Sequence, residues 1–571
     1  MSAKSRLNVV LCWHMHQPEY RDAISGEYQL PWTYLHGIKD YVDMAAVLEK
    51  IPRARAVVNF VPILLDQIQD YAQQINGYLT DGKYIHDPLL AALAMPSLPN
   101  IQEQRVTLIK ACLRANKQRL IDRYPPYQKL AKIASMVQGD QQIIDYFQDG
   151  FLIDMLMWYH LAWLGETVRR EDTRVQLLIE KGKMFSLKDR RTLLEVIGEL
   201  LANIINRYRK LAEKGQIELS MTPYAHAMLP LLLDFNSARE AVPDVILPDT
   251  AAYPGGEERS HWHIREAIAS FKRHFGIEPK GCWPAEGGVS ERFIGLLGEY
   301  KFAWVASGET VIRNSLAKPV SPGPISPEIG LHRAHRLENK GPACFFRDDG
   351  LSDLIGFTYS SWHADDAANN LITHLETIAN GYDGDNNRVV SIILDGENAW
   401  EYYPENGYHF LTALYKKLSE HPRLNLTTFS DCLENMTNVH ALPSMVAGSW
   451  VHGTFSTWIG NVDKNRGWDL LCEAKHAFDS VVASGKLPPE HLEIAYRQLA
   501  VCEGSDWFWW FGDYNPAESV SNFEHLFRLH LSSLYQLIGK EAPESLTQVI
   551  SHGSGSPVQG GVMRTGQMAA N

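Results

Sequence analysis

The sequence predicts an α/β fold: a distorted barrel of mostly parallel strands, interrupted by one large helical insertion and followed by a helical C-terminal part. Three observations carry this. Short apolar runs alternate with helical patterns over residues 217–428, the signature of parallel strands joined by crossovers. The runs are continuous and not alternating, as expected for strands covered on both faces. Between residues 62 and 213 the period turns wholly helical.

In chain order, residues 7–13 read as the first strand and 56–61 as the second. An insertion spanning about 63–213 follows, with apolar residues at three- and four-residue spacing over 101–120, 142–164 and 187–211. Residues 151–165 are the most apolar long segment. Asp154 and His160 break it, so it reads as a buried helix before a membrane span. Strand-like runs return at 217–221, 281–283, 302–306, 343–346, 389–394 and 424–428, with helices expected over 262–275, 291–300, 364–379 and 408–418. Eight candidate strands imply a barrel or near-barrel. Residues 312–342 carry Pro319, Pro322, Pro324 and Pro327 without a period and read as a long, lid-like loop. Helices are expected over 466–484, 489–502 and 519–538. The expected division is a catalytic barrel over 1–442, a helical domain closing a cleft over 443–548 and a disordered Gly- and Ser-rich tail over 549–571.

With 571 residues, 45% hydrophobic and 21% charged, the chain is a globular protein too long for one ordinary core. A formal net charge of -13 and the absence of a basic block argue against nucleic acid as the partner. Seven scattered cysteines without a CxxC pair read as buried free thiols of a reducing compartment. Residues 1–10 show no secretory pattern. The expected location is the cytoplasm, with no membrane partner and no cofactor; the sequence leaves the oligomeric state open.

Two acids organise the chemistry. Glu286 sits in GCWPAEGG (281–288) and Asp395 leads DGENAWEYYPENG (395–407), each just past a strand-like run. Chemistry in barrels collects at strand C-termini. Cleaving a glycosidic bond needs two carboxyl groups with different duties, and flat sugar faces stack on aromatic rings. Trp283, Trp400, Tyr402 and Tyr403 flank the pair. As lone acids these would be surface charges at loop starts; two in matching settings argue otherwise. Glu286, between Pro284 and Gly287, has the uncrowded turn a nucleophile needs. Glu397 beside Asp395 is expected to raise the pKa of one of them, as a general acid requires.

HMHQP (14–18) follows the first strand and offers His14, His16 and Gln17. His-x-His on a strand could ligate a metal, but no third ligand stands nearby; hydrogen bonding to sugar hydroxyls is the stronger reading. IELSMTPYAHAMLPLL (217–232) places Glu218, Tyr224 and His226 around a strand end. SDWFWWFGD (505–513) offers Asp506, Trp507, Trp509 and Trp510 as a Trp–Asp wall. FRDDGLSDLIGF (346–357) carries acids read as structural.

These stretches, in this order, resemble the five motif regions of glycoside hydrolase family 57, the α-amylase and α-glucanotransferase family. The resemblance spans nearly the whole chain. It implies a (β/α)7 barrel with a helical domain, a retaining double displacement and no catalytic metal. It makes Glu286 the nucleophile and Asp395 the general acid/base. His14, His16, Glu218, His226, Trp283, Glu397, Asp506 and Trp509 match cleft-lining positions. Ala225 and Ala227 stand where relatives carry Tyr and Pro, which implies a more open pocket beside His226. The Pro-Glu-Cys pattern of branching enzymes is missing after Trp283. The expected activity is hydrolysis of α-1,4 bonds of glycogen, starch or maltodextrin, with α-1,6 bonds also open. The rivals are a 4-α-glucanotransferase using the same acids, a metal-dependent carbohydrate hydrolase or deacetylase built on the histidines, and a silent glucan-binding protein.

Overall fold

The computed structural model describes residues 6–318, 330–337, 341–381 and 387–555. Its strands, in chain order, are β1 Leu7–Met15, β2 Ala56–Phe60, β3 Ile217–Met221, β4 Gly281–Cys282, β5 Trp304–Ser307, β6 His335–Leu337, β7 Ala343–Phe346, β8 Val389–Asp395, β9 Leu424–Thr427 and β10 His440–Leu442. Seven of them run parallel around the barrel. β1 pairs with β8 along one edge, from Asn8–Val389 to His14–Asp395. Its other edge carries β9 at the base and β2 at the mouth. The order continues β2, β3, β4, β5, β7, and a parallel bridge from Arg347 to Ser391 meets β8 again. β6 runs antiparallel to β7 and carries β10.

The eight expected strands are all present, to within two residues at each end. Seven form the distorted (β/α)7-type barrel; β9 pairs only against the base of β1. β6 and β10, three residues each, are too short for a period to show. Buried Val9, Val10, Leu11, Cys12 and Trp13 in succession explain why β1 reads as an unbroken apolar run. Both faces of that strand are covered.

The insertion between β2 and β3 is helical, from Pro62–Asp81 to Leu187–Glu213. Pro62 enters at the first turn and left-handed Gly82 ends the first helix. A reciprocal Ser186–Asp189 cap starts the last one. The apolar segment lies in the helix Asp149–Trp163, with His160 buried against Tyr34 and the Leu156 carbonyl. Among the described residues no helix is long and apolar enough to cross a membrane. All seven cysteines are buried and unpaired.

Two expectations change. The stretch read as a loop from residue 312 begins inside the helix Glu309–Ala317; residues 319–329 and 338–340 lie outside the described residues. The stretch read as a disordered tail from 549 starts ordered. Ser551 accepts from the Gly512 amide and donates to Asp463, and Gly555 bridges Pro516. Residues 556–571 lie outside the described residues.

The C-terminal helices Val462–Ala483, Pro489–Cys502 and Ala517–Leu537 are tied to the barrel by a buried ion cluster. Glu503 accepts from Arg259 Nε at 2.8 Å and Nη2 at 2.7 Å, from His263 at 2.8 Å and from the Tyr253 hydroxyl at 2.5 Å. Burial pushes its pKa up, but Arg259 and His263 outweigh burial and hold it at about 2. A depressed carboxylate adds stability above its unfolded pKa, near 4.5, and loses it as pH falls toward the folded value. Glu503→Gln is expected to cost about 3–5 kcal/mol, because Arg259 is left buried and uncompensated. Urea melts should show that deficit at pH 7 and see it shrink between pH 4.5 and 2.

Candidate active site

The parallel strands deliver their C-terminal ends to one mouth, where a cleft of about 910 Å³ opens. Glu286 reaches it from a tight turn after β4. Its backbone is left-handed, φ 56°, as is that of Gly287, φ 59°. A Cβ on Gly287 would lie 2.8 Å from the Trp283 ring, so Trp283 packs there only over glycine. The turn is clamped by the Trp450 amide, which donates to the Glu286 carbonyl at 3.0 Å. The carboxylate accepts from Trp450 Nε1 and from the Ser505 hydroxyl, each at 3.1 Å. Burial raises its pKa to about 8. The Trp450 and Ser505 hydrogen bonds pull it down, and the charges of Asp506 and Asp395 push it further up.

Asp395 closes β8, in register with His14 of β1. Asn398 donates to its Oδ2 at 2.8 Å. Its pKa is raised by burial, against the hydrogen bond from Asn398 and the charges of His16 and Arg347. Glu397 is pushed well above the usual range, first by burial and only then by Asp395. The neighbouring acid is therefore a secondary cause of the shift that the sequence attributes to it. Glu397 accepts from Gln17 Nε2 at 3.2 Å.

The same cleft holds a histidine stack. His16 and His226 are 3.8 Å apart at 20°, and His14 and His226 are 5.1 Å apart at 25°. His16 Nε2 meets Asp506 at 2.7 Å. Burial and the neighbouring rings lower His14 to about 3 and His226 well below its usual range, so both are neutral. Ligand atoms of His16, His226 and Asp506 lie within 4.8 Å of one another. As placed, the His16 and His226 rings stack and both His226 nitrogens contact other side chains.

The cleft takes in His14, His16, Gln17, His226, Trp283, Glu286, Asp395, Glu397, Tyr402, Asp506 and Trp509. Four candidate residues fall elsewhere. Glu218 lies near the base of β3, where its carboxylate accepts from Trp304 Nε1 and the Ser430 amide and hydroxyl. Tyr224 is buried with its hydroxyl on Asp66 and Arg497. Trp400 packs behind β1 against Trp13 and donates to the Gly396 carbonyl. Trp507 faces Phe527 and His530 and donates to the Val501 carbonyl. The space beside His226 is not open: Gly504 pairs with Ala227, and a Cβ on Gly504 would lie 3.0 Å from the Ala225 carbonyl. Sequence reading missed Trp450, Ser505, Arg347, Asn398 and the Trp32–Trp163 pair, 6.0 Å apart. GSWVHG (448–453) has no strand or helix period to flag it; Gly–Trp–Gly composition is the one signal it gives.

Residues 10–444 match the model of glycosyl hydrolase family 57. The fold is similar to that of a branching enzyme of this type from Thermococcus kodakaraensis, with 14% identity, TM-score 0.55, and 93% of this chain and 90% of that chain covered. It is similar to the α-amylase AmyC from Thermotoga maritima, with 14% identity, TM-score 0.55, and 95% of each chain covered. It is also similar to a 4-α-glucanotransferase from Thermococcus litoralis, with 13% identity, TM-score 0.52, and 93% of this chain but 60% of that chain covered.

Trp450→Phe keeps the flat ring and removes the N–H aimed at Glu286. A hydrogen bond to a charged group is worth about 1.5–3 kcal/mol, so Glu286 is expected to titrate about 1–2 pH units higher. Isotope-edited infrared titration of the carboxyl band, with Glu286→Gln as the blank, measures the shift.

Proposed function

We propose that this chain, which belongs to glycosyl hydrolase family 57, cleaves α-glucosidic bonds of glycogen, starch or maltodextrin with retention of configuration. One observation carries the reading: Glu286 and Asp395, from opposite strands of the barrel, open into the same aromatic-walled cleft. In the first step a Glu286 oxygen attacks the anomeric carbon and the bond to the leaving oxygen breaks. Asp395 gives that oxygen its proton. A glycosyl ester on Glu286 results. Asp395, now ionised, takes a proton from water, whose oxygen attacks the same carbon and frees Glu286. His16 and Asp506 bind sugar hydroxyls, and His14 and His226 line the same cleft. Described residues 462–537 act as a C-terminal unit that completes the cleft by supplying Asp506, Trp509 and Trp510.

α-1,4 hydrolysis is the first reading. Transfer to a sugar acceptor is the second, and it is supported by two separate aromatic groups on the cleft wall. These are Trp32 with Trp163, and Trp510 stacked on Phe523 at 4.9 Å. Two such groups suit sugars on both sides of the scissile bond.

Maltotriose, amylose and pullulan assays should give shortened chains of retained anomeric configuration. Longer oligomers from maltotriose would favour transfer, and products sensitive to a debranching enzyme would replace hydrolysis with branching. Glu286→Gln is expected to abolish turnover. Asp395→Asn should lower it about 10²–10⁴-fold on glucans and less on a substrate whose leaving group needs no proton. A fully active Glu286→Gln enzyme would end the proposal.

A further inference from the structure

A buried nucleophile poses a problem that the geometry around it addresses. Glu286 must be ionised to attack, yet burial favours its protonated form. Its Oε1 faces one end of an unbroken file of polar atoms. Ser505 Oγ is 3.1 Å from Oε1 and 2.8 Å from His226 Nδ1. His226 Nε2 is 3.2 Å from His14 Nε2, and His14 Nδ1 is 2.7 Å from the side-chain amide of Asn59. All five residues are buried or nearly so.

Four contacts need four hydrogens, and neutral His14, neutral His226 and Ser505 own three. The fourth comes from one end: the Glu286 carboxyl or the Asn59 amide. Thr222 decides which. Its hydroxyl lies 2.7 Å from the Trp283 carbonyl and 2.9 Å from the same Asn59 amide atom that faces His14. A hydroxyl has one proton, and the carbonyl can only accept it. Thr222 therefore meets Asn59 as an acceptor, and the Asn59 atom facing Thr222 and His14, which stands as Oδ1, is reassigned by this count as the NH₂, whose two hydrogens match those two acceptors. The Asn59 atom 3.1 Å from the Ser220 hydroxyl, which stands as Nδ2 donating to it, becomes the oxygen in the reversed amide, and Ser220 then donates. Asn and Gln amides are oriented by such partner accounting.

We propose that Asn59 polarises this file toward Glu286, so that Ser505 is a permanent donor that favours the carboxylate form of Glu286. Each hydrogen bond then points one way. Asn59 donates to His14 Nδ1, His14 Nε2–H to His226 Nε2, His226 Nδ1–H to Ser505, and Ser505 to Glu286. The geometry is fixed by backbone: the Ser505 amide donates to the His226 carbonyl at 2.9 Å and Gly504 bridges Ala227. The other groups facing Glu286 are the Trp450 indole, Asp506 and Asp395; His226 is also faced by His16. The roles given to Glu286 rest on the function proposed above, but the direction of the file does not.

Neutron diffraction on the deuterium-exchanged enzyme tests the direction. Deuterons are expected on His14 Nε2 and His226 Nδ1. Deuterons on His14 Nδ1 and His226 Nε2 would overturn the proposal, whatever the enzyme's activity. In glucan assays, Ser505→Ala should move the acid limb of kcat/KM up by about one pH unit, and Ser505→Thr should restore it. An unmoved acid limb in an active Ser505→Ala enzyme would also overturn it. No glucan turnover by the wild type, with the expected deuterons in place, would instead remove the function and leave the file standing.

Discussion

The site depends on a seam two residues long. Gly504 pairs with Ala227, and the Ser505 amide closes on the His226 carbonyl. The barrel alone supplies the two acids and the histidines. The seam adds Ser505 and Asp506, the partners of Glu286 and His16. Its anchor is Glu503, one residue upstream, locked to Arg259, His263 and Tyr253. A fully buried ion pair is poor value as stability alone. Here it fixes the register of the chain beside it, because sliding by one residue would leave either the ion pair or the Ser505 contact unmade. The small side chains of Ala225 and Ala227 leave room for the seam. The same feature that reads as an open pocket in the sequence is a docking surface in the fold.

Burial dominates the electrostatics of the mouth. Glu286, Asp395 and Glu397 are all raised, each with desolvation as the first cause. The acid/base role proposed for Asp395 benefits from this directly, and the nucleophilic role proposed for Glu286 does not. The two acids are set apart by their donors: Glu286 has an indole N–H and a hydroxyl, whereas Asp395 has one amide. More donors stabilise the charged form, so these two bonds oppose the burial that raises Glu286.

The sequence made the barrel and the acid pair legible because both depend on local signals. Unbroken apolar runs mark strands covered on both faces, and the acids sit one or a few residues past their ends. It was less informative about facing. Glu218 is the second residue of β3, so it sits at the base although its sequence neighbours lead to the mouth. Trp507 and Trp509 are two apart in the helix Asp506–Trp510, about 200° around its axis, so one lines the cleft and the other enters the core. Trp400 is drawn inward by Trp13. Trp450 was invisible for a different reason: its segment has no regular secondary structure, and its value comes from a contact 164 residues distant in the chain. Ser505 was hidden by the tryptophans beside it; a serine carries no signal until its partners are known.

Two of the site's central side chains share one backbone anomaly. Glu286 and His226 are both left-handed, at φ 56° and 59°, though neither is glycine. Such positions cost about 1–3 kcal/mol each, and a loop free to relax would leave them. Each is held by bonds on its own backbone: Glu286 through its carbonyl to the Trp450 amide, and His226 through its carbonyl to the Ser505 amide. Those two amides belong to the residues whose side chains donate to the Glu286 carboxylate. Trp450 and Ser505 therefore act twice, once on the main chain that turns a side chain into the mouth and once on the charge it carries. Strain and ionisation of Glu286 are thus governed by the same pair of contacts, and the turn cannot relax without loosening the carboxylate.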